Sequence, residues 1–465
     1  MRVVIVGAGF GGIGAAIELK KHGFEDIVIL DRAPEIGGTW WFNDYPGAAC
    51  DVPSHLYSYS FAKRRQWSRL CSPRDEILAY LREVAREHGV DRLATLNTEI
   101  VRAVYNGGWT LTSTDGRTWE ADAVIIATGQ LHRPHRPRLP GTFEGHSFHS
   151  AEWDHKYDLR GKRVAVIGTG ASAVQFVPAI AKVVDKLVVF QRTGNWFLPR
   201  RNRKYPGWFR ALIRVPGVQE FRRNFIFWYG EFLTLMIRHP RTWGRIGHAR
   251  SAAFMRWQLR DPELRRKVWP DYTFGCKRVL FSSFFLPALQ RPNVELVTDA
   301  IEELTPNGIR TASGEHEVDC IIYATGFRAT DFMFPMEIVG RDGRTLREAW
   351  ADGPHAHLGI TVPGFPALYL MYGPNTNTSG GSIIFYEEAQ AAYIRQALRQ
   401  AAFEVREDVE AASDRALQAQ FPGTAWTRCD SWYRDRHGRI ATNWPGFMHE
   451  YAAATRELQR SDFKA

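Results

Sequence analysis

The stretch VVIVGAGFGGIGAAIEL, residues 3–19, joins an apolar run of strand length to a helical pattern through Gly7-x-Gly9-x-x-Gly12. Each glycine has its own work: a tight turn, close approach of backbone to a pyrophosphate, and tight packing of helix on strand, with the helix N-terminus facing the phosphates. A second apolar run, IVIL, ends at Asp31, 19 residues beyond Gly12, where a carboxylate can accept hydrogen bonds from a ribose hydroxyl pair. Strand, turn, helix, strand and acid in this register predict a dinucleotide-binding unit, which the glycines alone would not.

The pattern recurs. KRVAVIGTGASAVQFVPAIA, residues 162–181, gives a strand, Gly168-x-Gly170-x-x-Ala173 and a helix, and the following strand KLVVFQRT carries Arg192 where the first unit ended in Asp31. A carboxylate there repels a 2′-phosphate, whereas a guanidinium pairs with it bidentately. The first site therefore suits FAD and the second NADPH. Two further runs, ADAVIIATG ending at Gly129 and VDCIIYATGF ending at Phe327, resemble the returning strands of two-dinucleotide flavoproteins, whose ATG turn lies near the cofactor. The fold class expected is α/β: two doubly wound, Rossmann-type domains, with a helical insert in the second.

At 465 residues the chain is long enough for two or three domains, and 45% hydrophobic with 24% charged is an ordinary globular balance. No secretory signal is read at the N-terminus, and the longest apolar run, FIFWYGEFLTLMI at 225–237, is well short of the roughly 20 residues that span a bilayer. Five scattered cysteines with no CxxC pair point to a reducing, cytoplasmic setting, and away from a disulfide framework or a zinc site. The net charge of +10 is concentrated: residues 200–270 hold 17 Lys and Arg against Glu220, Glu231, Asp261 and Glu263. No nucleic-acid module accompanies this charge. The segment reads as a helical insert with arginine-rich outer faces over a core of Trp208, Trp228, Trp243, Trp257 and Trp269, in preference to an interfacial membrane patch.

Residues Gly37 to Asp51, GGTWWFNDYPGAACD, carry a Gly-Gly-x-Trp start, an aromatic-Pro-Gly centre and a closing aspartate. Residues Phe143 to Asp154, FEGHSFHSAEWD, set Phe143, Gly145, His149, Trp153 and Asp154 in a second recognisable spacing. On these two fingerprints the chain resembles the type I Baeyer–Villiger monooxygenases. Related flavin-containing monooxygenases and N-hydroxylases carry the second stretch without its tryptophan, so Trp153 is informative. The resemblance continues through VFQRTGNW, GCKR, ATGF, GPNTNTSGGSIIF and SWYRDRHGRIATNWPG, and is nearer the hydroxyacetophenone than the cyclohexanone monooxygenase branch.

The resemblance implies FAD, NADPH and O2 as co-reactants and a small ketone, or a thioether, as substrate. In the family a nucleophilic flavin C4a-peroxide attacks the ketone carbonyl, and the anionic adduct rearranges to an ester or lactone. Both species are anionic, so a fixed cation nearby does most of the electrostatic work, and an arginine keeps its charge where a buried lysine can lose it. By resemblance that cation is Arg278, positioned by Asp51. Lys277 would join Arg192 on the 2′-phosphate, with Thr193 beside it and Thr169, Gly170, Ser172 and Gln175 along the pyrophosphate. Thr39, Trp40, Asp51, Tyr57 and Ile383 would line the flavin. The stretch 143–154 would be an interdomain linker whose histidine and tryptophan couple domain rotation to catalysis; metal ligation by His146, His149 and His155 has no ordered ligand spacing behind it.

Two departures stand out. Asp31 replaces the commoner glutamate, and the chain starts without the N-terminal extension of many relatives, which leaves oligomeric state and part of the substrate rim open. The expected organisation is an FAD domain from 1–150 and 331–465, and an NADPH domain at 151–330 interrupted by the insert at about 200–270. Two other activities suit the same motifs: S- or N-oxygenation of the flavin-containing monooxygenase type, and a flavin-dependent NADPH oxidase or reductase without oxygen transfer, held at a membrane surface by the basic insert.

Overall fold

The computed structural model describes every residue except 65, 201 and 465. Its first sheet is wholly parallel and has five strands, in the order Leu368–Leu370, Ala123–Ile126, Val3–Val6, Ile27–Leu30, Ala94–Thr95. All four residues of Val3–Val6 are buried, because a parallel strand covered on both faces needs a continuous apolar run rather than an alternating one. One face is covered by the helices Phe10–Lys21 and Ile383–Arg399, and the other by the core of an antiparallel group, Ile100–Tyr105, Trp109–Ser113 and Thr118–Ala121.

The second sheet repeats the plan with Val294–Val297, Lys186–Phe190, Arg163–Ile167, Cys320–Tyr323 and His146–His149, again all parallel. The chain is thus mixed α/β with two Rossmann-type units, as its two glycine-rich turns imply. The stretch 143–154 is more than a linker. Its residues His146–His149 form the edge strand of the second sheet, in register with Cys320–Tyr323, so that sheet begins before residue 150. Four residues of mixed polarity do not announce a strand; the open edge beside Cys320–Tyr323 makes one of them.

The insert leaves the second unit after Phe197–Leu198 and returns at Leu280–Phe281, two short strands that pair in parallel. Between them lie the helices Gly207–Leu212, Val218–Arg238, Gly244–Gln258 and Pro262–Val268. The tryptophan core expected here does not form. Trp208, Trp228, Trp243 and Trp257 are exposed, only Trp269 is half-buried, and the inward faces carry Ile226, Met236, Ile237, Ala252, Met255 and Leu259 instead. The reason is close approach. A methyl group on Gly230 would sit 2.6 Å from the Gly380 carbonyl oxygen, and one on Gly247 2.3 Å from the Phe274 ring, which leaves no depth for an indole. No described helix is long and apolar enough to cross a membrane.

A second correction concerns the cysteines. Cys276 and Cys429 form a disulfide, while Cys50, Cys71 and Cys320 are free and buried. The partners are 153 residues apart, so no local spacing could reveal them. The bridge ties the segment bearing Lys277 and Arg278 to the C-terminal region.

Candidate active site

Both glycine turns are built alike. Gly7 has φ +117° and Gly168 φ +107°, and a Cβ on either would meet the carbonyl oxygen of Ala127 or Ala324 at 2.3 and 2.5 Å. Those alanines open the two ATG turns, so each turn backs the first glycine of its own unit. Gly12 is set back from the cavity that the two units share; a Cβ there would lie 1.9 Å from the Gly7 carbonyl oxygen, which makes it the residue that lets helix sit on strand.

The remaining cofactor-binding and catalytic candidates open on one cavity of about 1810 Å3 that runs between the two units and the insert. On the first unit these are Gly7, Gly9, Asp31, Thr39, Trp40, Asp51, Tyr57 and Ile383; on the second, Thr169, Gly170, Ser172, Gln175, Arg192, Thr193, Lys277 and Arg278. The insert supplies a wall of Ile226, Tyr229, Leu233 and Ile237.

Asp31 is already at work in the protein itself. Its carboxylate accepts from the Ala8 N–H at 2.6 Å and the Ala33 N–H at 2.7 Å. Burial raises its pKa, and the two backbone bonds and Arg32 oppose that rise without cancelling it. The fingerprint 37–51 is pinned from below: Arg74 donates to the carbonyls of Trp40 at 2.7 Å and Trp41 at 3.1 Å, and the Trp40 indole donates to the Tyr57 hydroxyl at 3.1 Å.

Arg278 donates to one oxygen of Asp51 from Nη2 at 2.6 Å and from Nε at 3.3 Å. Burial pushes the Asp51 carboxyl up, but the charge and hydrogen bonds of Arg278, with the charge of Arg200, outweigh it and hold the group below the usual carboxylate range. In return the Asp51 charge, helped by Tyr433 and Tyr372, raises Arg278 against its own burial. The Arg278 side chain is 40% exposed and lines the cavity.

Lys277 and Arg192 sit close enough to feel each other. Burial, and then the charge of Arg192, lower the Lys277 ammonium, against the pull of Asp271 and Asp430. Among the described residues neither forms an ion pair, and Lys277 rests over the Tyr272 ring at 4.9 Å. Two like charges this close favour an anion that both can contact. Thr169 is held by the Asn195 amide, which donates to its carbonyl at 3.0 Å. The Ser172 hydroxyl meets the Tyr45 phenol. Gln175 is committed elsewhere: its amide donates to the Ala49 carbonyl at 2.9 Å and accepts from the Ala49 N–H at 3.0 Å, clasping the first unit to the second.

The histidines of 143–154 take separate partners. His146 lies 3.0 Å from Asp154 and stacks on Tyr157, His155 lies 2.8 Å from Asp44, and buried His149 accepts from the Ala151 N–H at 3.1 Å while its ring meets Phe327 edge-on. Burial lowers the His149 pKa to about 4.

Four further residues, Arg200, Tyr372 and Glu387 on the cavity wall and Tyr433 near Arg278, are not singled out by the motifs. Arg200 donates to the Cys50 carbonyl at 3.0 Å and puts a second cation beside Asp51. Tyr372 and Tyr433 stand near Arg278. Glu387 lies one helical turn past Ile383, beside Gly11, and burial, with the Glu388 charge, pushes its carboxyl up to about 8. Of these, only Glu387 was reachable from sequence, as the i+4 neighbour of Ile383.

Two Rossmann-type units sharing a cavity, one with an acid and the other with a cation pair, define an oxidoreductase of the two-dinucleotide class. The family model described as pyridine nucleotide-disulphide oxidoreductase matches residues 4–214. A Baeyer-Villiger monooxygenase of Streptomyces coelicolor is 41% identical over all of this chain and 92% of its own length, and one of Pseudomonas aeruginosa is 40% identical over 99% of this chain and 91% of its own. The crystal structure of OTEMO in complex with FAD and NADP superposes with a TM-score of 0.88 at 26% identity, covering 98% of this chain and 97% of that one. The chain belongs to the Baeyer-Villiger monooxygenase family.

Proposed function

We propose that the protein is an FAD- and NADPH-dependent monooxygenase that inserts one oxygen atom of O2 beside a ketone carbonyl and yields an ester or lactone. The observation that carries this reading is the Arg278–Asp51 pair, a permanent cation aimed into the cavity the two nucleotide units share.

The residues present fit both dinucleotides. Gly7 and Gly9 leave backbone bare at the N-terminus of the helix Phe10–Lys21, as Gly168 and Gly170 do before Ala171–Ile180, and both termini face the cavity. Asp31 and the pair Arg192–Lys277 supply the contrasting ends. When bound, the flavin takes hydride from NADPH and activates O2. The chain's part is electrostatic and positional. Arg278 holds the oxyanion that develops on the substrate, in a space walled in part by the aromatic rings of Trp40, Tyr57 and Tyr372. Asp51 fixes the guanidinium, and Arg200 helps keep Asp51 ionised, so that the aspartate does not draw a proton from the reaction. Arg192 and Lys277 hold the 2′-phosphate, and Gln175 keeps the second unit clasped to the fingerprint 37–51.

The test is product mass under 18O2 with NADPH and a panel of aryl, cyclic and linear ketones plus a thioether. One labelled oxygen gained by a ketone, as ester or lactone, is the expected result. A labelled sulfoxide with no ester from any ketone would move the protein to heteroatom oxygenation, and peroxide alone would make it an oxidase.

A further inference from the structure

The insert is amphipathic with an apolar side turned outward. Along Val218–Arg238 the residues Phe221, Phe225 and Trp228 recur at helical spacing and are 73%, 65% and 61% exposed, with half-buried Phe232 one turn on. Such a period ordinarily marks a buried seam. A second row, Trp243, Ile246 and Trp257, the last 66% exposed, runs along Gly244–Gln258, and the Phe232 and Trp243 rings meet edge-on at 6.0 Å to join the two. Arginines border this face. Arg210, Arg241, Arg245 and Arg256 are exposed and pair with no carboxylate among the described residues, in a segment whose sequence carries +13.

Charge selects the partner. A second copy docking through the same face across a two-fold axis would set this cationic surface against itself. The headgroup region of an anionic bilayer offers both things the face lacks, an apolar boundary for Trp and Phe and phosphates for arginine. We propose that the outer face of the insert is an interfacial contact surface for anionic phospholipid, lying on the bilayer and not crossing it. The cavity reaches the same face, since Phe225 of the exposed row also lines it. Substrate dissolved in lipid would then enter without passing through bulk water; that consequence rests on the oxygenase reading, whereas the contact does not.

The experiment is co-sedimentation of the full-length holoenzyme with vesicles of phosphatidylcholine, alone or with about 30 mol% phosphatidylglycerol, at about 0.05 and 0.5 M salt. Binding should require the anionic lipid, weaken at least about tenfold in the higher salt, and shift tryptophan emission to the blue. The double variants W228S/W257S and R245E/R256E should each lose about tenfold or more in partitioning while keeping FAD. Absence of binding, or equal and salt-insensitive binding to both lipids, overturns the proposal. A solution dimer that W228S/W257S dissolves would give the face to a second copy, and equal affinity for soluble polyglutamate would give it to an acidic protein.

Discussion

Arg278 and Asp51 set each other's charge, and their separation into two roles can be measured. If the guanidinium meets an oxyanion formed only after flavin reduction, Arg278→Ala removes about 3 kcal/mol, or roughly a hundredfold, from oxygen transfer and nothing from the steps before it. The variant should fold, hold FAD and consume NADPH, yet release hydrogen peroxide in place of ester; a normal ester yield would refute the assignment. Arg192 and Lys277 make a different claim, about discrimination. Arg192→Ala should raise the Kd for NADPH about ten- to a hundredfold, the cost of one charge-assisted contact, and leave NADH binding nearly unchanged in the same titration. Glu387 is a claim about pH. Its folded carboxyl keeps a proton up to about 8 while the unfolded chain releases it near the ordinary glutamate value, so stability falls as pH rises between the two. Asp51, with its lowered pKa, adds stability that is lost only as pH falls below the usual carboxylate range, outside that window. Glu387→Gln should therefore flatten the decline in thermal midpoint between about pH 5 and 8, and an unchanged slope would mean the carboxyl is not buried as described.

Among the elements, the strand His146–His149 links motif to motion. His149 reaches across to Phe327, just past the second ATG turn, and its neighbours pair residue by residue with Cys320–Tyr323. His149→Ala leaves the glycine cradles untouched, so FAD should stay bound while reduction by NADPH slows, read as the rate of flavin bleaching in stopped flow. Reduction at the wild-type rate would confine the residue to packing. This strand also shows where sequence stops speaking. The glycine turns, Asp31 and Arg192 are legible because a turn and the strand end it serves lie within about thirty residues, and the chemistry is local. A short strand made by a neighbour's open edge is not local, nor is a disulfide across 153 residues, nor Arg200, whose importance comes from the Cys50 carbonyl it happens to reach. The tryptophans of the insert fail for another reason. Helical spacing reveals that a face exists but not whether it turns inward, and here small residues at Gly230 and Gly247 decide that the aliphatic side does.

For the whole molecule, one sheet is nested inside the other's chain. The second sheet draws all its strands from residues 146–323, whereas the first waits for Leu368–Leu370 and for the helix Ile383–Arg399 that covers Phe10–Lys21. A chain ended near residue 330 should therefore retain NADPH binding, seen by fluorescence titration, and retain no flavin absorbance after purification. Flavin retained by that fragment would show that the first unit closes without its last strand. The same nesting has a consequence during synthesis. At about 5–20 residues per second, on the order of ten seconds to a minute passes between the emergence of Ala123–Ile126 and that of its neighbour Leu368–Leu370. Through that interval the half that was made first keeps an open sheet edge, while the half begun later can already be finished. Flavin loading is then a late event on the ribosome, and until Leu368–Leu370 emerges the nascent chain carries one folded half and an unpaired edge strand open to a chaperone.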